Sequence, residues 1–198
     1  MFKITEYLKY KLFARHRKGF GVHSPFVFEL LNSVFFEENP FYAFEKIEKS
    51  LQKNFSKIFF RRDVKYYRLI FRLTNYFSAK KMLIVGENIC VEKYFLSVSK
   101  KNETVSEKKL QHLQKKNIFD IIFFSTHNII YYKDVIYSPN VSQNTILIFE
   151  NIYQNRITSR IWKEICSNNN LKVSIDIFKY GIVFFKNDFP KQHYLVKY

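Results

Sequence analysis

Met82-Leu83-Ile84-Val85-Gly86 decides the fold. Four apolar residues in succession, stopped by a glycine, suit a strand covered on both faces whose chain turns where the strand ends. The same texture recurs downstream in Phe119-Asp120-Ile121-Ile122-Phe123-Phe124 and in Thr145-Ile146-Leu147-Ile148-Phe149, with a weaker strand at Thr104-Val105-Ser106. Helical stretches separate these runs, and strands alternating with helices predict a doubly wound, mostly parallel sheet of the α/β class. The C-terminal end differs. Val173 to Phe178 and Ile182 to Phe185 flank Tyr180-Gly181, which predicts an antiparallel hairpin turning at that dipeptide. Trp162 and the stripe from Ile157 to Ile165 predict a helix packed on the core, and the polar stretch 99–117 predicts a surface connection.

Upstream of the first strand the pattern is helical. Ile4, Leu8 and Leu12 recur at helical spacing beside Tyr7, predicting an amphipathic helix over 3–15 whose apolar side packs on the domain. Gly19 and Gly21 break it, and Ser24 can cap a second helix, about 25–36, with Pro25 at its first position. Pro40 closes that segment and a polar helix follows at about 41–54. Residues 64–77 form a strong helix candidate with one apolar face, Arg68 and Arg72 sharing another at i,i+4. These elements divide the chain into a helical N-terminal extension, 1–63, and a sheet domain, 64–198.

Composition narrows the class of protein. Hydrophobic residues make up 47% of 198, enough for one buried core. The 23 Phe and 14 Tyr accompany abundant Lys, Asn and Ile, so they read as a coding bias more readily than as an aromatic binding surface. Lys plus Arg number 33 against 17 Asp plus Glu, a net charge of +16, which favours anionic partners such as nucleic acid or a membrane surface. Cys90 and Cys166 are the only cysteines and form no Cys-x-x-Cys, so neither a disulfide framework nor a zinc cluster is expected. No run reaches the roughly 18 apolar residues of a membrane span. Lys3, Glu6, Lys9 and Lys11 interrupt the N-terminus where a secretion signal would be apolar, so a cytoplasmic location is expected.

Several stretches, taken in order, resemble one family. His23-Ser24-Pro25-Phe26-Val27-Phe28 after a basic helix is similar to the N-terminal signature of bacteroidete class I S-adenosylmethionine-dependent methyltransferase-like proteins. Tyr67 to Phe77 resembles the helix before their first strand. Ile175-Asp176-Ile177-Phe178-Lys179-Tyr180-Gly181-Ile182-Val183-Phe184-Phe185, with Lys191-Gln192-His193, resembles their closing hairpin. The resemblance implies a Rossmann-like methyltransferase sheet, S-adenosylmethionine as cofactor and a methyl acceptor that the sequence does not name.

It also implies a site at the carboxyl ends of the strands, where ligands bind in such sheets. The family's first strand runs into an acidic residue, a glycine, and a second glycine four positions after the first. Here Ile84 stands at the acidic position, Gly86 keeps the first glycine and Cys90 replaces the second, with Glu87 and Asn88 between them. Glu107 matches the acid that grips the ribose hydroxyls. Ser125-Thr126-His127-Asn128 stand where the family has Asp-Gly-Asn-His, and Glu150-Asn151 stand at its paired acids. The stretches before the 64–77 helix and after the second strand are shorter than the family's.

The resemblance therefore assigns Gly86, Glu87, Asn88, Glu107 and Ser125 to the cofactor, and His127, Asn128 and Glu150 to catalysis near the acceptor. Each has a plainer reading. Gly86 serves a tight turn, Glu107 is a solvated acid at a helix start, and His127 is a structural loop histidine rather than a base working near neutral pH. Glu150 with Asn151 supplies too few oxygen ligands for a metal to be expected. His23 before Ser-Pro fixes the entry to a helix. Three functions follow: a methyltransferase; a catalytically inactive scaffold or binding module with that fold; or a nucleic-acid-binding protein working through its basic N-terminal helix.

Overall fold

In the computed structural model, residues 2–15, 19–52, 57–107 and 117–198 are described, with backbone alone for 57–62. Helix α1 spans Phe2–Phe13, α2 spans Pro25–Leu30 and runs on as a π-helical turn over Leu31–Phe35, α3 spans Tyr42–Gln52, and α4 spans Lys57–Tyr76. Strand β1 (Lys81–Val85), helix α5 (Ile89–Leu96), β2 (Glu103–Glu107) and β3 (Ile121–Phe124) follow. Next come α6 (Tyr132–Ile136), β4 (Ile146–Glu150), α7 (Arg156–Ser167), β5 (Val173–Asp176), β6 (Tyr180–Phe184) and β7 (Gln192–Leu195). The expected connection at 99–117 contains β2, and its residues 108–116 lie outside the described ones.

The protein has the α/β, Rossmann-like methyltransferase fold expected from the sequence. The sheet order is β2-β1-β3-β4-β6-β5-β7. Pairings β1–β2, β1–β3, β3–β4 and β5–β7 are parallel, and β6 runs antiparallel to both its neighbours. Alternate strand residues feed two cores. Met82, Ile84, Ile121, Phe123, Ile146 and Ile148 pack with Val27, Leu30, Leu31 and Val34 of the second helix and with Leu69, Ile70 and Leu73 of α4. Leu83, Val85, Ile122, Phe124, Leu147 and Phe149 pack on the other face with Val135, Trp162 and Ile165. Burial on both faces accounts for the continuous apolar runs in these strands.

The local signals behave as chemistry requires. The Ser24 hydroxyl accepts from the Val27 amide, capping α2 with Pro25 behind it. Arg72 is buried and donates through Nε to the Val34 carbonyl at 2.6 Å, and through Nη2 to the Phe35 carbonyl, so a cation satisfies the orphan carbonyls at the end of the second helix. Asn155 and Thr158 form a capping box at the start of α7.

Three expectations are corrected. The hairpin turns at 177–179, not at Tyr180-Gly181: both of those residues lie inside β6, and Phe178 takes the left-handed conformation with φ 66°. Gly181 is instead required by packing, because a Cβ there would lie 2.5 Å from the Trp162 ring. Secondly, the helix expected from 64 begins at Lys57. Thirdly, α1 is turned the other way round. Ile4, Leu8 and Leu12 are 66%, 56% and 78% exposed, and Tyr10 is the buried residue of the helix. The Tyr10 hydroxyl donates to the Val196 carbonyl at 2.6 Å and accepts from the Tyr198 amide at 3.0 Å, and its ring meets Phe178 at 5.2 Å. These polar and aromatic anchors fix the helix through a tyrosine, leaving its aliphatic stripe outward.

Candidate functional site

The chain passes from β1 outward to β2, then back across to β3 on the other side of β1. Such a reversal opens a crevice at the carboxyl ends of the two strands that flank it. Gly86 ends β1 there and Ser125 ends β3. The Gly86 amide donates to the Glu107 carbonyl at 2.8 Å, and the Ser125 hydroxyl donates to the Val85 carbonyl at 3.1 Å. The topology thus brings together Gly86, Glu107 and Ser125, which are far apart in the sequence.

Gly86 has φ 102°, a conformation that favours glycine, and its missing side chain leaves room for neighbours. A Cβ there would lie 2.0 Å from Ser125 Oγ and 2.3 Å from Asn128 Nδ2. Asn128 Nδ2 donates to Ser125 Oγ at 2.8 Å, so this pair packs directly over the glycine. Asn88 caps α5 by accepting from the Val91 amide, as its place after the strand allows.

Glu150 is the last residue of β4 and is buried. Its carboxylate accepts from Asn88 Nδ2 at 3.1 Å on one oxygen and from the Thr126 hydroxyl at 3.0 Å on the other. Asn151 Nδ2 donates to Thr126 Oγ1 at 2.8 Å, extending the network. Burial pushes the Glu150 carboxyl above the usual range, opposed by the nearby Lys179 charge and the Thr126 bond. Cys90, in the second-glycine position, is a buried free thiol whose pKa is also raised by burial, so it is not a poised nucleophile.

Glu107 closes the edge strand β2. One of its carboxylate oxygens, Oε2, is buried and has no hydrogen-bond partner among the described residues. A buried unpaired oxygen costs on the order of 1–3 kcal/mol, so it is a group in want of a donor. Glu87 and His127 are exposed, and His127 precedes a short 3-10 turn over Asn128–Tyr131. Of the residues predicted from sequence, Gly86, Asn88, Glu107, Ser125, Asn128 and Glu150 share one end of the sheet. Glu87 and His127 lie on its surface.

A cavity of about 340 Å³ adjoins this network through Asn151. Lys3 comes from α1, Asp63 and Tyr66 from α4, and Phe178 and Lys179 from the β5–β6 turn. Tyr153 stacks on Phe178 with centroids 5.4 Å apart. Lys179 Nζ pairs with Asp63 at 2.5 Å and lies over the Tyr66 ring. Asn151 and Phe178 both have positive φ, 52° and 66°. Sequence reasoning missed Asp63, Tyr66, Tyr153, Phe178 and Lys179 as neighbours, because no local spacing links three separate segments. Among the described residues, no cluster of His, Cys, Asp and Glu is arranged to hold a metal ion. No helix among them is long and apolar enough to cross a membrane.

The sequence matches no protein-family model and no curated protein. Its fold does match solved structures. The SAH-bound methyltransferase PaMTH1 of Podospora anserina aligns with TM-score 0.51 over 74% of this chain and 89% of its own, at 8% identity. A methyltransferase of Geobacter sulfurreducens aligns with TM-score 0.50 over 76% of this chain and 92% of its own, at 11% identity. At such identities the likeness is one of fold, and function rests on the residues of the site.

Proposed function

We propose that this protein is a divergent class I S-adenosylmethionine-dependent methyltransferase that seats its cofactor at the β1–β2 edge and takes an acceptor from the cavity beside Asn151. The carrying observation is the buried, unpaired Oε2 of Glu107, which fits a ribose hydroxyl as its missing donor. Gly86 and Asn88 shape the turn beneath the cofactor, Ser125 and Asn128 present polar groups beside it, and Glu87 borders it from the surface. S-adenosylmethionine supplies an electrophilic methyl group when bound, so the protein's work is to position the acceptor. Glu150 holds the Asn88–Thr126–Asn151 network rigid beside the cavity. His127, exposed beyond the carboxyl end of β3, would take the proton from an acceptor that carries one.

A second reading, a catalytically inactive module with this fold, is favoured by one specific observation. Ser125 and Asn128 fill the space over Gly86 that a bare glycine would leave to a ligand. Calorimetric titration separates the two. Saturable binding of S-adenosylmethionine and of its demethylated product supports the enzyme. A folded protein that takes up neither at about millimolar ligand leaves the module. The excess of basic residues has a separate anionic partner in this proposal.

A further inference from the structure

We propose that the outward face of α1 docks the protein on an anionic lipid bilayer. The helix has two sides. Tyr10 is buried at 7% exposure and bonded to Val196 and Tyr198. Roughly 160° round the helix lies Leu8, flanked by Ile4 and Leu12 one turn before and after it. These three aliphatics are more than half exposed. Large aliphatic side chains at helical spacing on an outer surface lose free energy to water at every turn unless something covers them.

Charge decides what covers them. Lys9 and Lys11 flank the stripe and are exposed, as is Arg15 just beyond the helix. Arg17 and Lys18 follow in the sequence, and the chain as a whole carries +16. A basic helix with an apolar outer face is the form that lies in the plane of an anionic membrane, apolar residues among the acyl chains and lysines at the headgroups. Nucleic acid offers phosphates for the lysines but nothing for Ile4, Leu8 and Leu12. A second copy offers an apolar face but brings like charges together. The anchors on Tyr10 hold the helix in place without the stripe, so the stripe remains available while the protein stays folded. This inference is independent of cofactor binding.

The test is co-sedimentation of the full chain with vesicles of phosphatidylcholine containing about a quarter phosphatidylserine, against phosphatidylcholine alone. The wild type is expected to bind the anionic vesicles at least ~10-fold more strongly, the difference shrinking as salt is raised. The double variant Ile4→Gln/Leu8→Gln, both at exposed positions, is expected to lose about 30-fold in partitioning while keeping its circular dichroism and thermal midpoint. Equal binding by the variant overturns the proposal, because charge alone would then suffice. Absence of wild-type binding overturns it too. In that case salt-steep RNA binding untouched by the double variant would point to nucleic acid, and a dimer that the variant dissolves would point to a second copy.

Discussion

Gly181→Ala places a methyl group against the face of the single tryptophan. The added Cβ would lie 2.5 Å from Cη2 and Cζ3 of Trp162 and 2.8 Å from Cε3. An ordinary carbon contact needs about 1 Å more. The backbone cannot yield, because Gly181 is paired to Phe149 on one side and to Asp176 on the other. The ring must therefore move, and its Nε1 donates to buried Asp176 Oδ2 at 2.9 Å, a bond that a shift of that size breaks. Overpacking costs about 1–3 kcal/mol and the lost bond to a carboxylate about 1.5–3 kcal/mol, so the variant should lose roughly 3–6 kcal/mol. Urea unfolding followed by Trp162 emission measures this directly, since no other tryptophan contributes. A loss within about 0.5 kcal/mol of zero and an unchanged emission maximum would refute the packing argument.

Other consequences follow from the same geometry. Burial raises the Asp176 carboxyl from 3.8 to about 6, against the bonds it accepts from Tyr153, Trp162 and the Phe178 amide. The folded state holds this proton more tightly than the unfolded chain. Its contribution to stability is therefore full below about pH 4 and lost as pH rises through about 6, a change of about 3 kcal/mol at most. Urea midpoints across that range should fall with a slope absent in Asp176→Asn, and parallel curves for the two proteins would count against it. Tyr10→Phe strips the Val196 carbonyl and the Tyr198 amide of their shared partner. It should cost about 1–3 kcal/mol and speed amide hydrogen exchange in α1; unchanged exchange would show that the helix is held elsewhere. Glu107→Ala should weaken S-adenosylmethionine binding about 10–100-fold without lowering the thermal midpoint, and an unaltered affinity in calorimetry would remove the ribose assignment.

Much of the fold was legible because the strands that build it are buried on both faces. Met82–Val85, Ile121–Phe124 and Ile146–Phe149 are continuous apolar runs of strand length, as strands covered on both faces require. Strand β2 reads weakly because it is an edge, and all its residues are exposed or half-buried. Strand β7 was missed for a related reason: Gln-His-Tyr-Leu has no apolar run, and only its pairing with β5 makes it a strand. The hairpin turn was misplaced because turn signals favour glycine, whereas the left-handed position here is taken by Phe178, held between Tyr7, Tyr10 and Tyr153. Helix periodicity revealed the stripe of α1 correctly but carried no information on which side faces the domain. Tyrosine hydroxyls decided that.

The candidate site divides the same way. Gly86 and Asn88 could be found from their places after β1, whose end is set by its apolar run, whereas Glu107 was assigned through the resemblance alone, because β2 has no such run. The bonds that join Glu150 to Asn88, 62 residues away, and to Thr126, 24 residues away, depend on sheet order and have no local sign. The cavity walls depend on it too. The Gly86 glycine was legible as a position but not as a contact: the neighbours that require it, Ser125 and Asn128, come from across the sheet.

In the proposed function, the unpaired oxygen of Glu107 is the seat for a ribose. Crystals of the protein grown with the demethylated cofactor test it most directly. Density is expected at the carboxyl ends of β1 and β2, with a ribose hydroxyl within hydrogen-bond distance of Glu107 Oε2 and the Gly86 turn beneath it. Ligand density elsewhere on the protein, or a ribose that leaves Glu107 without a partner, would contradict it.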